Sequence, residues 1–227
     1  MRRFLAVLAP LLLIAGSLTA WSPPRPPPVR IIEDFSGSPV GRFPKNFRSW
    51  PLERHKAVRV YRVSSEPGNR YLEAYDAEQI SAQIFRKFYW NPRSYPVLNW
   101  RWRARTLPAG ADERVPQKND SACGVYVVFG GWSGKSVKYV WSARVPAGAV
   151  IPKRKGKSFS IVKNSGRGRG WQAVSVNVVE DYRRLFGEEP GQDPIGIGLL
   201  TDGNATRSPA ACDYDDFILA TSASPGR

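Results

Sequence analysis

Tryptophan and arginine alternate within residues 95–105, YPVLNWRWRAR, and this alternation constrains the fold more than any other feature of the sequence. Successive side chains of a β-strand point to opposite sides of the sheet. The segment therefore predicts a half-buried strand with Trp100 and Trp102 in a core. The opposite face carries three side chains that could hold a ligand: Asn99, Arg101 and Arg103.

Strand-like runs recur along the rest of the chain, and most are separated by clusters of Gly, Pro, Asn or Asp. The runs cover residues 30–35, 57–63, 71–74, 80–88, 97–105, 124–129, 136–143, 158–163, 171–176, 195–200 and 213–220. Their spacing leaves no room for repeated crossover helices. The sequence therefore predicts an all-β fold, an antiparallel jelly-roll-like β-sandwich.

One short helix is predicted at about residues 178–186. Asn177 can cap its first turn, with Glu180 three residues later as in a capping box. Gly187 can adopt the left-handed conformation that ends many helices. The charges of this helix favour its dipole, so we assign them no catalytic role.

The two ends of the chain suggest export. Residues 1–20 resemble a secretion signal, with Arg2 and Arg3 before an apolar run and a small residue, Ala20, at the cleavage point. An uncleaved anchor is the alternative; if the signal is cleaved, the mature chain has no membrane span. Residues 21–29 form a proline-rich linker, residues 30–221 one sandwich domain, and residues 222–227 a disordered tail. The predicted location is periplasmic or extracellular.

The composition is strongly basic, with 34 Lys and Arg against 19 Asp and Glu and a formal net charge of +15. Such a balance favours anionic partners such as acidic polysaccharides or the anionic components of a cell envelope. Export argues against a natural nucleic acid partner. The alternative is that the charge serves solubility alone.

Two cysteines, Cys123 and Cys212, make an even count in a chain that we expect to reach an oxidising compartment. They predict one disulfide, with two separate buried thiols as an equal alternative.

Several short motifs occur together, and each is weak alone. They are DFSG at residue 34, WRWR at 100, VYVVF at 125, YVWS at 139, TD at 201 and YDD at 214. In this order, over residues 30–220, they resemble the family of exported bacterial proteins catalogued as domain of unknown function 3047. The resemblance implies a β-sandwich of the jelly-roll, carbohydrate-binding kind with no assigned reaction. The turns at 118–124 and 203–206 carry fewer charged side chains than the family pattern.

Carboxylates are the strongest chemical candidates, because the single histidine, His55, lies apart from any nucleophile motif. Three aspartates at strand ends could form an acidic cluster: Asp120, Asp202 and Asp215. A hydrolase would need two such carboxyl groups across the scissile bond. Turn-forming hydrogen bonds are the simpler interpretation.

Asp34 and Asp216 could contribute to a structural calcium site if the first and last strands pair. No other cofactor is predicted.

Trp90 and Trp132 lie in turn-like surroundings, where an indole could face solvent and stack on a sugar ring. Packing in the core or under a loop is the alternative for both.

The arginines of the WRWR segment likewise have two interpretations. They could grip an acidic ligand, or they could pair with aspartates of the chain.

The sequence as a whole favours an exported, non-catalytic binding module for an envelope or extracellular saccharide, which could be acidic. A hydrolase that uses strand-end aspartates is the first alternative, and an envelope structural or interaction protein is the second.

Overall fold

The computed structural model describes residues 29–131 and 134–221 of the chain. The predicted signal peptide, almost all of the proline-rich linker, the tail and Trp132 lie outside the described residues.

Thirteen strands, numbered along the chain, account for most of the regular structure. They are β1 (Val29–Glu33), β2 (Arg48–Ser49), β3 (Tyr61–Glu66), β4 (Asn69–Asp76), β5 (Ile84–Lys87), β6 (Val97–Thr106), β7 (Cys123–Phe129), β8 (Ser136–Ser142), β9 (Val150–Lys153), β10 (Ser158–Ser165), β11 (Gln172–Asn177), β12 (Pro194–Leu199) and β13 (Ala210–Ala220).

The strands form two sheets, which we call sheet A and sheet B. Sheet A has the order β11-β6-β13-β4-β3, and β1 pairs with the far half of β13. Sheet B has the order β2-β5-β12-β7-β8-β10-β9. Buried side chains from both sheets form one hydrophobic core, so the predicted β-sandwich is confirmed. One pair departs from antiparallel order, because β10 runs parallel to β8.

The tryptophans of β6 lie inside the sandwich, as the alternating pattern predicts. Trp100 and Trp102 are buried, and their rings meet edge to face with centroids 5.2 Å apart. Trp100 also packs 5.5 Å from Tyr139 of sheet B, and Trp102 packs 6.1 Å from Trp141. These aromatic contacts join the two sheets at the centre of the core.

The described residues contain two α-helices, α1 (Arg54–Val60) and α2 (Val178–Phe186), and three short 3₁₀ segments, Pro51–Glu53, Pro116–Lys118 and Arg154–Gly156. Helix α2 is confirmed: the Asn177 side chain accepts hydrogen bonds from the N–H groups of Val179 and Glu180, and Gly187 ends the helix at φ 71°. None of the described helices has the length and apolar character needed to span a membrane.

The strand predicted over residues 57–63 is wrong in its first half. The chain is helical up to Val60 and becomes extended only at Tyr61. Ala57 and Val60, three residues apart, are both buried, while the residues between them are exposed. That spacing suits one helical turn packed on the core, although the run of small and β-branched residues resembles a strand.

A disulfide joins Cys123 and Cys212, whose Cα atoms are 5.4 Å apart. Cys123 begins β7 in sheet B, and Cys212 lies in β13 of sheet A. The bond therefore links the two layers of the sandwich covalently.

Candidate functional site

The polar side chains of β6 point away from the core, on the outer face of sheet A. Asn99, Arg101 and Arg103 are half-buried, whereas the alternating Trp100 and Trp102 are buried. The predicted division of indoles and guanidinium groups between the two sides of the sheet is confirmed.

Carboxylates of the neighbouring strand β13 meet Arg101. Its Nη2 donates to Asp215 Oδ2 at 2.7 Å, and its Nε lies 2.8 Å from Asp216 Oδ2. A β-bulge in β13 allows this double contact, because Asp216 takes a left-handed conformation with φ 53°. Asp215 also accepts from Asn69 at 2.9 Å. Burial raises the pKa of Asp215 to about 6, although Asn69 and Arg101 oppose this.

Arg103 is held in the same way by two acids. Its Nε donates to Asp213 Oδ2 at 2.6 Å, and its Nη1 donates to Glu66 Oε2 at 3.1 Å. The indole of Trp171 donates to the other oxygen of Glu66 at 2.8 Å. The guanidinium groups of Arg103 and Arg101 lie 4.5 Å and 4.8 Å from the centroid of the Trp171 ring. Trp171 thus covers both arginines with cation–π contacts.

The outer face of sheet A is therefore a self-paired ionic network. Of the two interpretations given above for Arg101 and Arg103, the structure shows the second. Aspartates of the chain form ion pairs with both guanidinium groups. Ligand binding by Asn99, Arg101 and Arg103 stays a prediction, and such a ligand would have to compete with ion pairs that are partly buried.

The outer face of sheet B carries a groove, which we call the sheet B groove. Two rows of cross-strand neighbours form its floor. The first row contains Gly198, Tyr126, Lys138 and Ser160, on β12, β7, β8 and β10. The second row contains Gly196, Val128, Ser136, Ser158 and Lys153, on β12, β7, β8, β10 and β9.

Two glycines of β12 lie at one edge of this floor, although neither is among the residues that line the groove. Strand β12 reads PIGIGL, with Ile197 and Leu199 in the core and both strand glycines on the outer face. A Cβ atom at Gly198 would lie 3.4 Å from Tyr126 Cβ, and one at Gly196 would clash with the carbonyl of Arg86. A side chain at position 198 would pack beside Tyr126, whereas Gly196 is required by the close approach of the β5 backbone.

The sheet B groove has a volume of about 390 Å³. It combines two aromatic residues, polar side chains and three cations. The lining residues are Trp50, Gln83, Asn119, Tyr126, Val128, Ser136, Lys138, Lys153, Arg154, Ser158 and Ser160. Trp50 follows β2 and packs on Phe85, with ring centroids 5.5 Å apart.

Lys138 is the most unusual of these side chains, because only 6% of it is exposed. Its stem crosses Gly124, where a Cβ atom would lie 2.7 Å from Lys138 Cε. Its ammonium group lies 5.3 Å from the centroid of the Tyr126 ring. Burial favours a lower pKa, but Tyr126 and the Asp202 carboxylate outweigh it and raise the pKa of Lys138 above its ordinary value. The side chain therefore stays charged at neutral pH.

Lys153 places a second ammonium group at the same end of the groove. It donates to Asn119 Oδ1 at 2.7 Å and to the backbone carbonyl of Glu113. Burial, together with the charge of Lys138, lowers the pKa of Lys153. The two cations are thus near enough to repel each other.

The predicted acidic cluster is divided in the structure. Asp120 and Asp202 lie near each other at one end of sheet B, whereas Asp215 belongs to the network on sheet A. Asp120 accepts from the N–H groups of Ala205 and Thr206, and Asp202 accepts from the N–H of Ser121 at 3.1 Å. Grouping Asp215 with the other two was wrong, because β13 presents it on the opposite layer.

Burial raises the pKa of Asp202 to about 6, with Lys138 opposing and Asp120 adding to the shift. Neither Asp202 nor Asp120 lines the sheet B groove. Both carboxylates hold backbone amides, which is the turn-forming role given above as the simpler interpretation.

Trp90 is 2% exposed and belongs to the core, so the hypothesis that it offers a sugar-binding face is wrong.

Asp34 accepts from the N–H and the hydroxyl of Ser36, while Asp216 faces Arg101. Among the described residues, no three acidic, histidine or cysteine side chains cluster as metal ligands would. Calcium binding at Asp34 and Asp216 stays a prediction.

The sheet B groove was not predicted from the sequence. A signal was present in two strands: small or polar residues alternate with larger apolar ones in β12 and in the first half of β8, SVKYVWS. The pattern alone does not say which strands are neighbours, and the groove exists only because β7, β8, β10 and β9 adjoin in that order.

Comparison with protein families gives one match: the model described as "Protein of unknown function (DUF3047)" covers residues 45–218. The resemblance drawn from the motifs is thereby confirmed. No curated protein matches this sequence.

Solved structures give distant matches. A family 11 carbohydrate-binding module of a cellulosomal cellulase from Clostridium thermocellum has 7% identity and a TM-score of 0.42, covering 88% of this chain and 98% of the module. The xyloglucanase domain of NopAA from Sinorhizobium fredii has 8% identity and a TM-score of 0.43, covering 85% and 97%. A family 29 carbohydrate-binding module from Piromyces equi has 12% identity and a TM-score of 0.36, covering 88% and 93%. Matches this distant carry no information about the ligand of this chain.

Proposed function

The chain belongs to the DUF3047 family of proteins of unknown function, and on that premise we propose that it is a non-catalytic saccharide-binding protein whose site is the sheet B groove. The observation that carries this proposal is the composition of the groove lining, in which aromatic and hydrogen-bonding side chains share one concave surface.

The groove suits a sugar in size and chemistry. Its volume falls within the range of about 300–1,000 Å³ that is usual for small-molecule sites. Trp50 and Tyr126 offer aromatic surface for the apolar face of a pyranose ring. Gln83, Asn119 and Ser160 can exchange hydrogen bonds with ring hydroxyl groups. The floor rests on a hydrogen-bonded sheet, so the site needs little ordering when it binds.

The proposal includes export of the protein. The signal-like N-terminus supports this, and so does the Cys123–Cys212 disulfide, since such bonds persist in oxidising compartments. Sequencing the N-terminus of the protein recovered from an envelope fraction would test it. A chain that retains residue 1 and remains in the cytoplasm would contradict it.

Trp50 provides the test of the binding site. We expect Trp50→Ala to weaken binding of a saccharide selected from a glycan array by about tenfold, since a lost aromatic contact of this kind costs about 1–2 kcal/mol. Isothermal titration calorimetry measures the effect. Tyr75→Ala is the matched control, because Tyr75 is an exposed aromatic residue on sheet A.

Three results would count against the proposal. Failure to bind any saccharide at low salt would remove it. Equal loss in Trp50→Ala and Tyr75→Ala would move the site away from the sheet B groove. Turnover of a polysaccharide that disappears in Asp202→Asn, with folding intact, would instead support the hydrolase alternative.

A further inference from the structure

The charge of the sheet B groove is one-sided. Lys138, Lys153 and Arg154 line it, and none of the described lining residues is a carboxylate. The outer face of sheet A shows the opposite arrangement, since each of its three β6 arginines contacts at least one carboxylate. Within the described part of the chain, Lys138 and Lys153 are thus a local excess of positive charge that no carboxylate of the groove lining neutralises.

Lys138 is the centre of this excess. Among the described residues, no carboxylate lies within ion-pairing distance of its ammonium group, although the side chain is almost completely buried. Asp202 and Glu113 are near enough to act on its charge, but both are buried and neither lines the groove. The charge of Lys138 is thus balanced by Tyr126 and by carboxylates that do not contact it directly, so an anionic ligand in the groove can supply the direct ion pair.

Lys153 cannot move away from Lys138 without losing contacts. Its hydrogen bonds to Asn119 and to the Glu113 carbonyl fix the ammonium group beside the groove. The sheet register strengthens this, because β9 and β10 pair Lys153 with Ser158, and β10 and β8 pair Ser158 with Ser136. Two repelling cations are therefore built into one end of the groove.

We propose that this end of the sheet B groove binds the acidic group of an acidic saccharide, a carboxylate or a sulfate ester, between Lys138 and Lys153. This inference rests on the proposed saccharide-binding function and names its substrate class. The serine hydroxyl groups of Ser158 and Ser160, next to these lysines in the sheet, can bind the remaining anionic or hydroxyl oxygens.

Matched pairs of polysaccharides that differ only in charge provide the test. The probes are polygalacturonate and its methyl ester, hyaluronan and its carboxyl-reduced form, and dextran sulfate and dextran, measured with the full chain by affinity electrophoresis and calorimetry. We expect the acidic member of at least one pair to bind about tenfold more tightly. Lys138→Met and Lys153→Met should each reduce that ratio by about fivefold.

Lys45→Met is the matched control for net charge, because Lys45 is exposed and does not line the groove. Circular dichroism of both groove variants checks folding. Because Lys153 is only half-buried, Lys153→Met is less prone to disturb the fold than Lys138→Met and tests the same end of the groove. Equal affinity within all three pairs would overturn the inference, as would an equal loss in Lys45→Met. If both members of a pair bind equally and Trp50→Ala abolishes binding, the inference fails while the proposed function stands.

Discussion

At the scale of single residues, the buried cations on the outer faces of the two sheets differ in how closely carboxylates approach them. Arg101 and Arg103 meet carboxylates directly, whereas Lys138 has only more distant ones behind it. A cation that is paired directly with a carboxylate of the chain stabilises the fold and is not free to bind a ligand. A buried cation without such a pair, opening on a groove, is a feature that a ligand can use.

The pH dependence of stability should report on Asp202. Its pKa is raised from 3.8 to about 6 by burial, so between these values the folded protein binds a proton that the unfolded chain has released. Stability from this group is therefore lost as the pH rises through that window. We expect the unfolding free energy of the wild type, relative to Asp202→Asn, to fall by up to about 3 kcal/mol between about pH 4 and pH 6.

Urea denaturation of both proteins at several pH values measures this difference. Because the other carboxyl groups are common to both proteins, their contributions cancel in the comparison. A difference that stays constant, or grows with pH, would contradict the assignment of a raised pKa to Asp202.

At the scale of elements, the pairing of β6 with β13 depends on its outer ion pairs as well as its inner indoles. Arg101→Met should lower the unfolding free energy by about 3 kcal/mol, because it leaves the buried Asp215 with hydrogen bonds from Asn69 and the Asp216 N–H but without a cation. Arg62→Met, at another arginine–carboxylate pair of sheet A, should cost less than about 1 kcal/mol, since the Arg62 side chain is 62% exposed and that of Arg101 is 30% exposed. Equal losses would show that burial of the partner acid does not matter.

Strands β6 and β13 and helix α1 show what could be predicted from the sequence and what could not. The period-two pattern of β6 predicted both its faces, because alternation is a local property of a strand. The pattern did not predict that β13 would bring Asp213 and Asp215 opposite the arginines, since register between distant strands is not local. Helix α1 was missed because its single buried turn resembles the start of a strand, and packing decides between the two.

The candidate site was less predictable than the fold. The sheet B groove draws residues from four strands, β7, β8, β9 and β10, and from connecting segments, and these meet through a strand order that differs from the chain order. A parallel pair, β8 with β10, lies within it and no pattern of residues indicated that pairing. Trp90 was misassigned for a related reason, because a turn-like neighbourhood does not determine whether an indole faces solvent.

At the scale of the whole molecule, the Cys123–Cys212 bond should contribute strongly to stability. It closes a loop with a sequence separation of 89, and the chain-entropy model assigns such a crosslink about 4–5 kcal/mol. We expect the double variant Cys123→Ser/Cys212→Ser to unfold with a free energy lower by about 2–5 kcal/mol. Denaturation with and without a reductant provides the control: the reductant should destabilise the wild type and leave the double variant unchanged.

The unequal treatment of charge on the two layers has a kinetic consequence for the molecule. On sheet A the arginines of β6 are matched by carboxylates and exert little net force at a distance, while the described lining of the sheet B groove holds Lys138 and Lys153 and no carboxylate. An approaching polyanion would be attracted toward the sheet B groove before it touches the surface. Most productive encounters would therefore begin at that face. Capture would then slow steeply as ionic strength rises, while dissociation of the bound chain would change far less.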